Sequence, residues 1–326
     1  ARCSKRKRPL ANLLVTGGAG FIGSNLVAAL NARGMTDILV VDDLYEGRKC
    51  LNLSDCDFTD YREYDDFIDL VRRGHDFGPV EAVFHQGACS DTTEWDGRFV
   101  MARNFEYSRS LYEWTTARSV PLIYASSASV YGMGPDFVEA REAERPLNMY
   151  AFSKFVFDQY VRARTSASQV AGLRYFNVYG PREGHKDGMA SVARHFSAQI
   201  ETTGQCKLFE GTDGYANGEQ RRDFIHVDDV VAVNLWLMDN PQVSGIFNCG
   251  TGRSQTFNDV ADAVIGWHGQ GNKHYVAFPA HLQGRYQSFT EADIAALRRA
   301  GYTAAFMPVE VGVPRYLDAI AKTRES

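Results

Sequence analysis

Tyr150 and Lys154, in the segment YAFSK, stand four residues apart, a spacing that puts two side chains on one face of a helix. A phenol beside an ammonium is a proton-removing pair, because a nearby cation lowers the phenol pKa and brings the phenolate within reach of neutral pH. An alcohol needs such a base if a hydride is to leave its carbon. Ser127, in IYASSASVYG, is placed to hydrogen-bond the reacting oxygen and hold it against Tyr150, with Ser126 as its inert neighbour. Taken singly, each has a bland alternative: a packed Tyr with a snorkelling Lys, and serines that satisfy backbone groups at a strand end.

A departing hydride needs an acceptor, and the start of the chain offers the cradle for one. Leu13 to Thr16 runs into Gly17, Gly18, Ala19, Gly20, Phe21, Ile22 and Gly23, then a helical pattern, with Asp42 closing the next apolar run. In a dinucleotide-binding βαβ unit Gly17 lets the chain turn, Gly20 lets backbone N–H groups approach a pyrophosphate, and Gly23 lets helix and strand pack. The helix N-terminus adds partial positive charge. Asp42 stands where a carboxylate accepts hydrogen bonds from the adenosine ribose, which by itself favours NAD, since a 2′-phosphate would meet a like charge. Arg48 and Lys49 follow closely and either face such a phosphate or lie solvated on the loop.

The elements that must position these residues alternate. Apolar, β-rich runs at Leu13 to Thr16, Ile38 to Val41, Ala82 to Phe84, Leu122 to Ala125 and Val170 to Tyr175 are separated by helical patterns. Those patterns run over Ile22 to Leu30, Tyr64 to Arg72, Arg103 to Arg118 and Met149 to Arg164. The order predicts an α/β fold with a doubly wound parallel sheet of Rossmann type. After Gly180, Gly-rich polar segments alternate with short helices and strands, which predicts a smaller C-terminal α/β lobe whose loops carry binding residues. Residues 12–180 are expected to bind the dinucleotide, with 221–250 returning to that domain. Residues 181–220 and 251–326 are expected to form the substrate-binding lobe. Residues 1–11, with Arg2, Lys5, Arg6, Lys7 and Arg8, read as a disordered basic tail.

Composition narrows the class. The 326 residues carry 35 Lys+Arg against 40 Asp+Glu, a formal charge of −5, and 44% are hydrophobic. Mild acidity argues against broad nucleic-acid binding, which needs concentrated Lys and Arg to displace counterions. The cysteines at positions 3, 50, 56, 89, 206 and 249 form no CxxC pair and no metal-ligand cluster, so they read as reduced cytosolic thiols with no metal site. No apolar run approaches the roughly 18 residues of a membrane span, and no signal peptide is visible. A cytoplasmic protein is expected.

TGGAGFIGS, SSASVYG and YAFSK, in that order, resemble the extended short-chain dehydrogenase/reductase family, whose members act mostly on nucleotide-activated sugars. The resemblance implies catalytic roles for Ser127, Tyr150 and Lys154, and a supporting role at active site and cofactor for Asn104 in RNFEYSRSLYEW. HQGACS is similar to the family's cofactor-lining stretch, which implies contacts from Gln86, Gly87, Ala88, Cys89 and Ser90, alongside Phe21, Ile22, Asp43 and Val178. His85 reads as a satisfied core histidine. Ala128 and Ser129 stand where the family's dehydratases carry an Asp-Glu pair, so nothing would protonate a departing hydroxyl, and dehydration is not expected.

The segments GACSDTTEWDG, RYFNVYGPREGHKDGMASVARH, LFEGTDG, RRDFIHVDDV and GRYQSFTEADI resemble the branch of that family that epimerises ADP-activated heptose at C6. This implies inversion of ADP-D-glycero-D-manno-heptose for the inner core of bacterial lipopolysaccharide, through a 6-keto intermediate and hydride return from bound NADP. It implies two acid/base groups on opposite faces of the carbonyl, Tyr150 and Lys186, the latter needing a lowered pKa. Substrate contacts are implied at Asn177, His185, His195, Phe209, Glu210, Gly211, Thr212, Arg222 and Tyr286. The planar guanidinium of Arg222 also suits a pyrophosphate on chemical grounds, the alternative being a salt bridge with Asp223. His185 serves either binding or loop orientation. The family often has Asp-Asn where Asp42-Asp43 stand here, yet generally uses NADP, so NADP is expected with Lys49 at the 2′-phosphate, and NAD is the alternative. A homo-oligomer is implied, a pentamer being one form. Two rivals remain: a UDP-hexose 4-epimerase, which would not need Lys186, and a silent dinucleotide sensor, in which Tyr150 and Lys154 would be free to drift.

Overall fold

The computed structural model describes residues 12–279 and 286–325, so the basic tail lies outside the described residues. The strands are β1 (Asn12–Thr16), β2 (Ile38–Asp42), β3 (Asp60–Glu63), β4 (Val80–His85), β5 (Leu122–Ser127), β6 (Val170–Tyr175) and β7 (Asn177–Tyr179). They continue as β8 (Gln205–Phe209), β9 (Arg221–Arg222), β10 (Phe224–His226), β11 (Gly245–Cys249), β12 (Gln255–Thr256) and β13 (Asn272–Val276). The helices are α1 (Phe21–Ala32), α2 (Tyr64–Arg72), α3 (Gly97–Val100), α4 (Tyr107–Ala117), α5 (Met149–Arg162), α6 (Val192–Thr203), α7 (Val227–Asp239), α8 (Phe257–His268), α9 (Ala295–Arg299) and α10 (Val309–Glu325).

Seven parallel strands form the main sheet in the order β11-β6-β5-β4-β1-β2-β3. The runs LLVT and ILVVD are almost continuously apolar because helices bury both faces of the sheet. One core joins β1, β2 and β4 to α1 and α7, and the other joins the same sheet to α2, α4 and α5. The polar strand DYRE at the β3 edge escapes an apolar-run reading because it has little to bury. Strand order reverses between β1 and β4, the place where a parallel sheet opens a crevice at its carboxyl ends. β11, late in the chain, closes one edge of this sheet by pairing with β6.

The helix expected over 103–118 starts earlier, at Gly97, and passes through a π-helical turn at Met101–Glu106 before continuing as α4. Such wide turns interrupt helical periodicity and commonly mark functional positions. A further core is built from α6, α8 and α10 with the pairs β8/β13 and β7/β10, around Phe196, Leu208, Val264, Val313 and Tyr316. Among the described residues no helix is long and apolar enough to cross a membrane.

Beneath the sheet's carboxyl end lies a buried ion cluster. Arg174 on β6 is fully buried, pairs with Asp158 at 2.8 Å and with Glu144, and Arg162 reaches Glu144 at 2.6 Å. Ser126 donates to Asp158 Oδ2 at 2.9 Å, so the neighbour of Ser127 is a structural tie. Asp158 lies four residues after Lys154 on α5, which anchors that helix to the strand end.

Candidate functional site

The glycine turn sits at the switch point. Gly17 has φ +67°, and a Cβ there would stand 2.5 Å from the Gly87 nitrogen, so the turn and the end of β4 abut backbone to backbone. A Cβ on Gly23 would stand 2.1 Å from the Gly17 carbonyl oxygen, which sets how closely α1 can approach the turn. Gly20 is the N-cap of α1, and no side chain caps that helix. Uncapped first-turn N–H groups beside a glycine turn fit the pyrophosphate of a dinucleotide.

Asp42 ends β2 and is buried, accepting hydrogen bonds at Oδ2 from Ala19 N–H (2.8 Å) and Gly20 N–H (3.1 Å). It thus braces the glycine turn, with lone pairs left for a ribose. Lys49 donates to Asp42 Oδ1 at 2.8 Å and to Asp43 Oδ1 at 3.0 Å. Burial disfavours its charge, but these two carboxylates outweigh that and raise its pKa. Arg48, one residue earlier, faces away to Glu46 (2.8 Å) and Asp187 (2.7 Å).

At the catalytic end, Asn148 caps α5 by accepting from Ala151 N–H at 2.8 Å, which fixes the helix that carries Tyr150 and Lys154. Ser127 ends β5, accepts at its hydroxyl from Ser129 N–H at 3.1 Å, and stands beside the Tyr150 phenol. Burial raises the Tyr150 pKa, with the neighbouring Ser127 hydroxyl opposing. Lys154 is buried, donates to the Ala125 carbonyl at 2.8 Å, and is pushed down to about 8 by burial. The expected lowering of Tyr150 by Lys154 is therefore not found in this geometry, because the ammonium is turned onto the β5 backbone.

Asn104, expected to support the active site and cofactor, has its side chain engaged by protein neighbours. Its amide donates to the Cys89 carbonyl (3.0 Å) and Ser153 Oγ (2.9 Å), and its oxygen accepts from Cys89 N–H (2.8 Å). It clasps the strand-end segment to the catalytic helix. The Gln86 side chain likewise turns to Asn234 and Tyr175, which leaves its backbone, with that of Gly87, against the glycine turn. Ala88 and Cys89 are half-buried and Ser90 is exposed along the same edge. His85 is the satisfied core histidine expected, with Thr16 at 2.6 Å, Ser108 at 2.7 Å, and a pKa pushed down to about 3 by burial.

Lys186 lies on the loop Gly184–Met189, its ammonium 5.1 Å from the centroid of the Phe21 ring at the start of α1. Burial lowers its pKa against the pull of Glu183. With Asn177, Val178, Met189 and Ser191 it lines a cavity of about 270 Å³. His185 accepts at Nδ1 from Asn52 (3.1 Å), which also donates to the Ala19 carbonyl (2.9 Å). This contact ties the lysine loop to the glycine turn and favours the orienting role. Asp187 holds a strained φ of +44° next to Lys186, within reach of the Arg48 clamp. Neither Asn52 nor the Arg48–Asp187 bridge carries a sequence motif, so only the folded geometry brings them out.

Arg222 is buried, with its guanidinium 4.8 Å from the Tyr286 ring and 5.7 Å from that of Phe257. The alternative salt bridge is not formed, because Asp223 instead accepts from the N–H groups of Thr251, Gly252 and Ala292. Phe209, Phe278 and Tyr286 make an aromatic wall with centroids 5.4 to 6.2 Å apart. Glu210 and Gly211 are exposed and Thr212 half-buried on the turn that follows Phe209. His195 is half-buried on α6, just after the cavity residues Ser191 to Ala193.

A glycine turn at the switch point and a Ser127–Tyr150 contact at the neighbouring strand end define a dinucleotide-dependent enzyme of the short-chain type. The chain belongs to the NAD dependent epimerase/dehydratase family, whose model matches residues 13–250. It is 61% identical over 311 residues to the ADP-L-glycero-D-manno-heptose-6-epimerase of Alkalilimnicola ehrlichii, covering 95% of this chain and 97% of that one. Among solved structures, the ADP-L-glycero-D-manno-heptose-6-epimerase of Helicobacter pylori matches with TM-score 0.82 at 30% identity, over 96% of this chain and 97% of that one. The Thermus thermophilus UDP-glucose 4-epimerase, solved in complex with NAD, matches with TM-score 0.76 at 27% identity, over 95% and 99%.

Proposed function

We propose that the chain is a C6 epimerase that converts ADP-D-glycero-D-manno-heptose to ADP-L-glycero-D-manno-heptose, in the bacterial cytoplasm, for the inner core of lipopolysaccharide. The near full-length likeness to the Alkalilimnicola ehrlichii enzyme supports the substrate. The observation that carries the mechanism is the placement of Lys186. It comes to the crevice over α1, on one face of the sheet, whereas Tyr150 comes from α5 on the other.

No carbonyl acidifies the C6–H bond, so inversion requires a transient ketone. Bound NADP would supply the hydride chemistry, taking a hydride from C6 and returning it to the other face. Ser127 holds the C6 oxygen, and Tyr150 takes or returns its proton for one epimer. Lys186 does so for the other, and its burial eases loss of the ammonium proton. The pair holds one proton in the working state, as phenolate with ammonium or phenol with amine. Arg222, stacked on Tyr286, receives the pyrophosphate, and the Phe209 wall takes the apolar faces of the ADP moiety.

NADP rather than NAD is supported by Lys49 lying between Asp42 and Asp43. Free thiols at Cys50, Cys56, Cys89, Cys206 and Cys249 suit a reducing compartment. A homo-oligomer belongs to the same reading, and light scattering at a multiple of the 36.4 kDa chain mass tests it. For the activity itself, the purified chain is incubated with ADP-D-glycero-D-manno-heptose or UDP-glucose and the products separated by anion-exchange chromatography. Conversion of the heptose alone is expected. Epimerisation of UDP-glucose alone would replace this reading with the 4-epimerase.

A further inference from the structure

The adenosine end of the crevice sets two carboxylates, Asp42 and Asp43, where a 2′-phosphate would have to sit. Cations from two different elements surround them. Lys49, in the turn after β2, reaches Asp43 Oδ1 at 3.0 Å. Arg103, in the π-helical turn ahead of α4, brings Nη2 to 3.7 Å from Asp43 Oδ2. Two cations thus converge on opposite oxygens of a single carboxylate. Locally the two acids and two bases cancel, so a phosphate arriving there meets no net repulsion.

Arg103 is also held in position. Its guanidinium carbon lies 4.3 Å from the centroid of the Tyr64 ring, the Tyr64 hydroxyl donates to the Arg103 carbonyl at 2.5 Å, and Tyr107 backs Tyr64 at 4.0 Å between ring centroids. A guanidinium stacked in this way gives up little side-chain freedom when it meets an oxyanion, and its planar fork suits phosphate better than a lysine does. Of the other acids nearby, Glu63 is committed to the N-terminus of α2, where it accepts from Asp65 N–H and Asp66 N–H. Asp65, an exposed side chain, competes for Arg103 Nη1 at 3.3 Å.

We infer that Arg103 is the second cation of a 2′-phosphate subsite, working with Lys49 across Asp43, and that it sets the preference for NADP over NAD. The inference rests on the NADP reading given above. The test offers the full-length protein equal concentrations of NADP and NAD, removes free nucleotide by gel filtration, and quantifies both retained nucleotides after denaturation. Wild type retains mainly NADP. Arg103→Gln lowers the retained NADP:NAD ratio by about 10- to 100-fold, the range of one charge-assisted hydrogen bond, while total occupancy stays the same. Arg103→Lys recovers part of the loss. Asp65→Asn, at an exposed position that does not threaten folding, raises the ratio severalfold and decides the matter alone if Arg103→Gln does not fold.

An unchanged ratio in Arg103→Gln or, failing that variant, in Asp65→Asn, against a wild type that prefers NADP, overturns the role of Arg103 and leaves the cofactor reading standing. Loss of both nucleotides together also overturns it, since Arg103 would then only brace the fold. A wild type that retains NAD in preference overturns the cofactor reading and this inference with it.

Discussion

Lys186→Met removes one of the two proposed proton-transfer groups and leaves similar apolar bulk over the Phe21 ring. A positioned acid or base contributes about 10²–10⁴ in rate, or about 2.7–5.5 kcal/mol of transition-state stabilisation. In the proposed two-base mechanism the whole of that range falls on epimerisation, because every turnover uses both faces of the ketone and Tyr150 serves only one. The pH dependence supplies a sign. Burial lowers the Lys186 pKa and raises that of Tyr150. Since the working pair holds one proton, activity is lost at low pH when the Lys186 amine is protonated and at high pH when the Tyr150 phenol ionises. The profile is a bell whose rising limb follows Lys186, and the opposed shifts widen its plateau. Chromatographic quantification of the two ADP-heptose epimers across neutral and alkaline pH reads both effects. The reasoning is refuted if Lys186→Met stays within tenfold of wild type, or if its residual rate keeps the same rising limb.

Arg48→Ala frees Asp187 and Glu46, and steady-state kinetics should show kcat falling severalfold while the melting temperature barely moves, because these ions are exposed. Arg48 holds the Glu46 carboxyl down at about 2, a depressed pKa, so the clamp is complete above the ordinary carboxylate range and is lost only as pH falls toward that value. Glu144→Gln strips one carboxylate from the fully buried Arg174 and should cost about 3–5 kcal/mol in urea denaturation, a loss under about 1 kcal/mol being contrary to this account. Arg222→Leu should raise KM about 10- to 100-fold with kcat nearly unchanged, since the pyrophosphate it is proposed to receive does not react; a drop in kcat alone would place Arg222 elsewhere.

What could be read from the sequence followed from burial and periodicity. The apolar runs of β1, β2 and β5 are buried on both sides and announce themselves, as does a glycine turn with strand, helix and acid in order. The β3 edge strand and the π turn at Met101–Glu106 break those periodicities and stayed hidden. Residue type pointed to the adenosine end but not to its arrangement. Spacing alone put both Arg48 and Lys49 near a phosphate and the family resemblance chose Lys49; the loop conformation turns Lys49 inward and Arg48 outward. Asn104 and Lys154 were legible as site candidates, yet their polar atoms are committed to Cys89, Ser153 and the Ala125 carbonyl, a difference no spacing rule reveals. Asn52 and Arg103 act across long sequence separations, where no local pattern reports contact.

The most direct test of inversion by transient oxidation is proton NMR of ADP-D-glycero-D-manno-heptose mixed with the purified protein in D₂O, without added cofactor, following the C6 proton. Transient oxidation leads to accumulation of the second epimer with protium retained at C6, because the hydride that leaves is the one that returns. Deuterium at C6 would contradict it and require a deprotonation route through solvent.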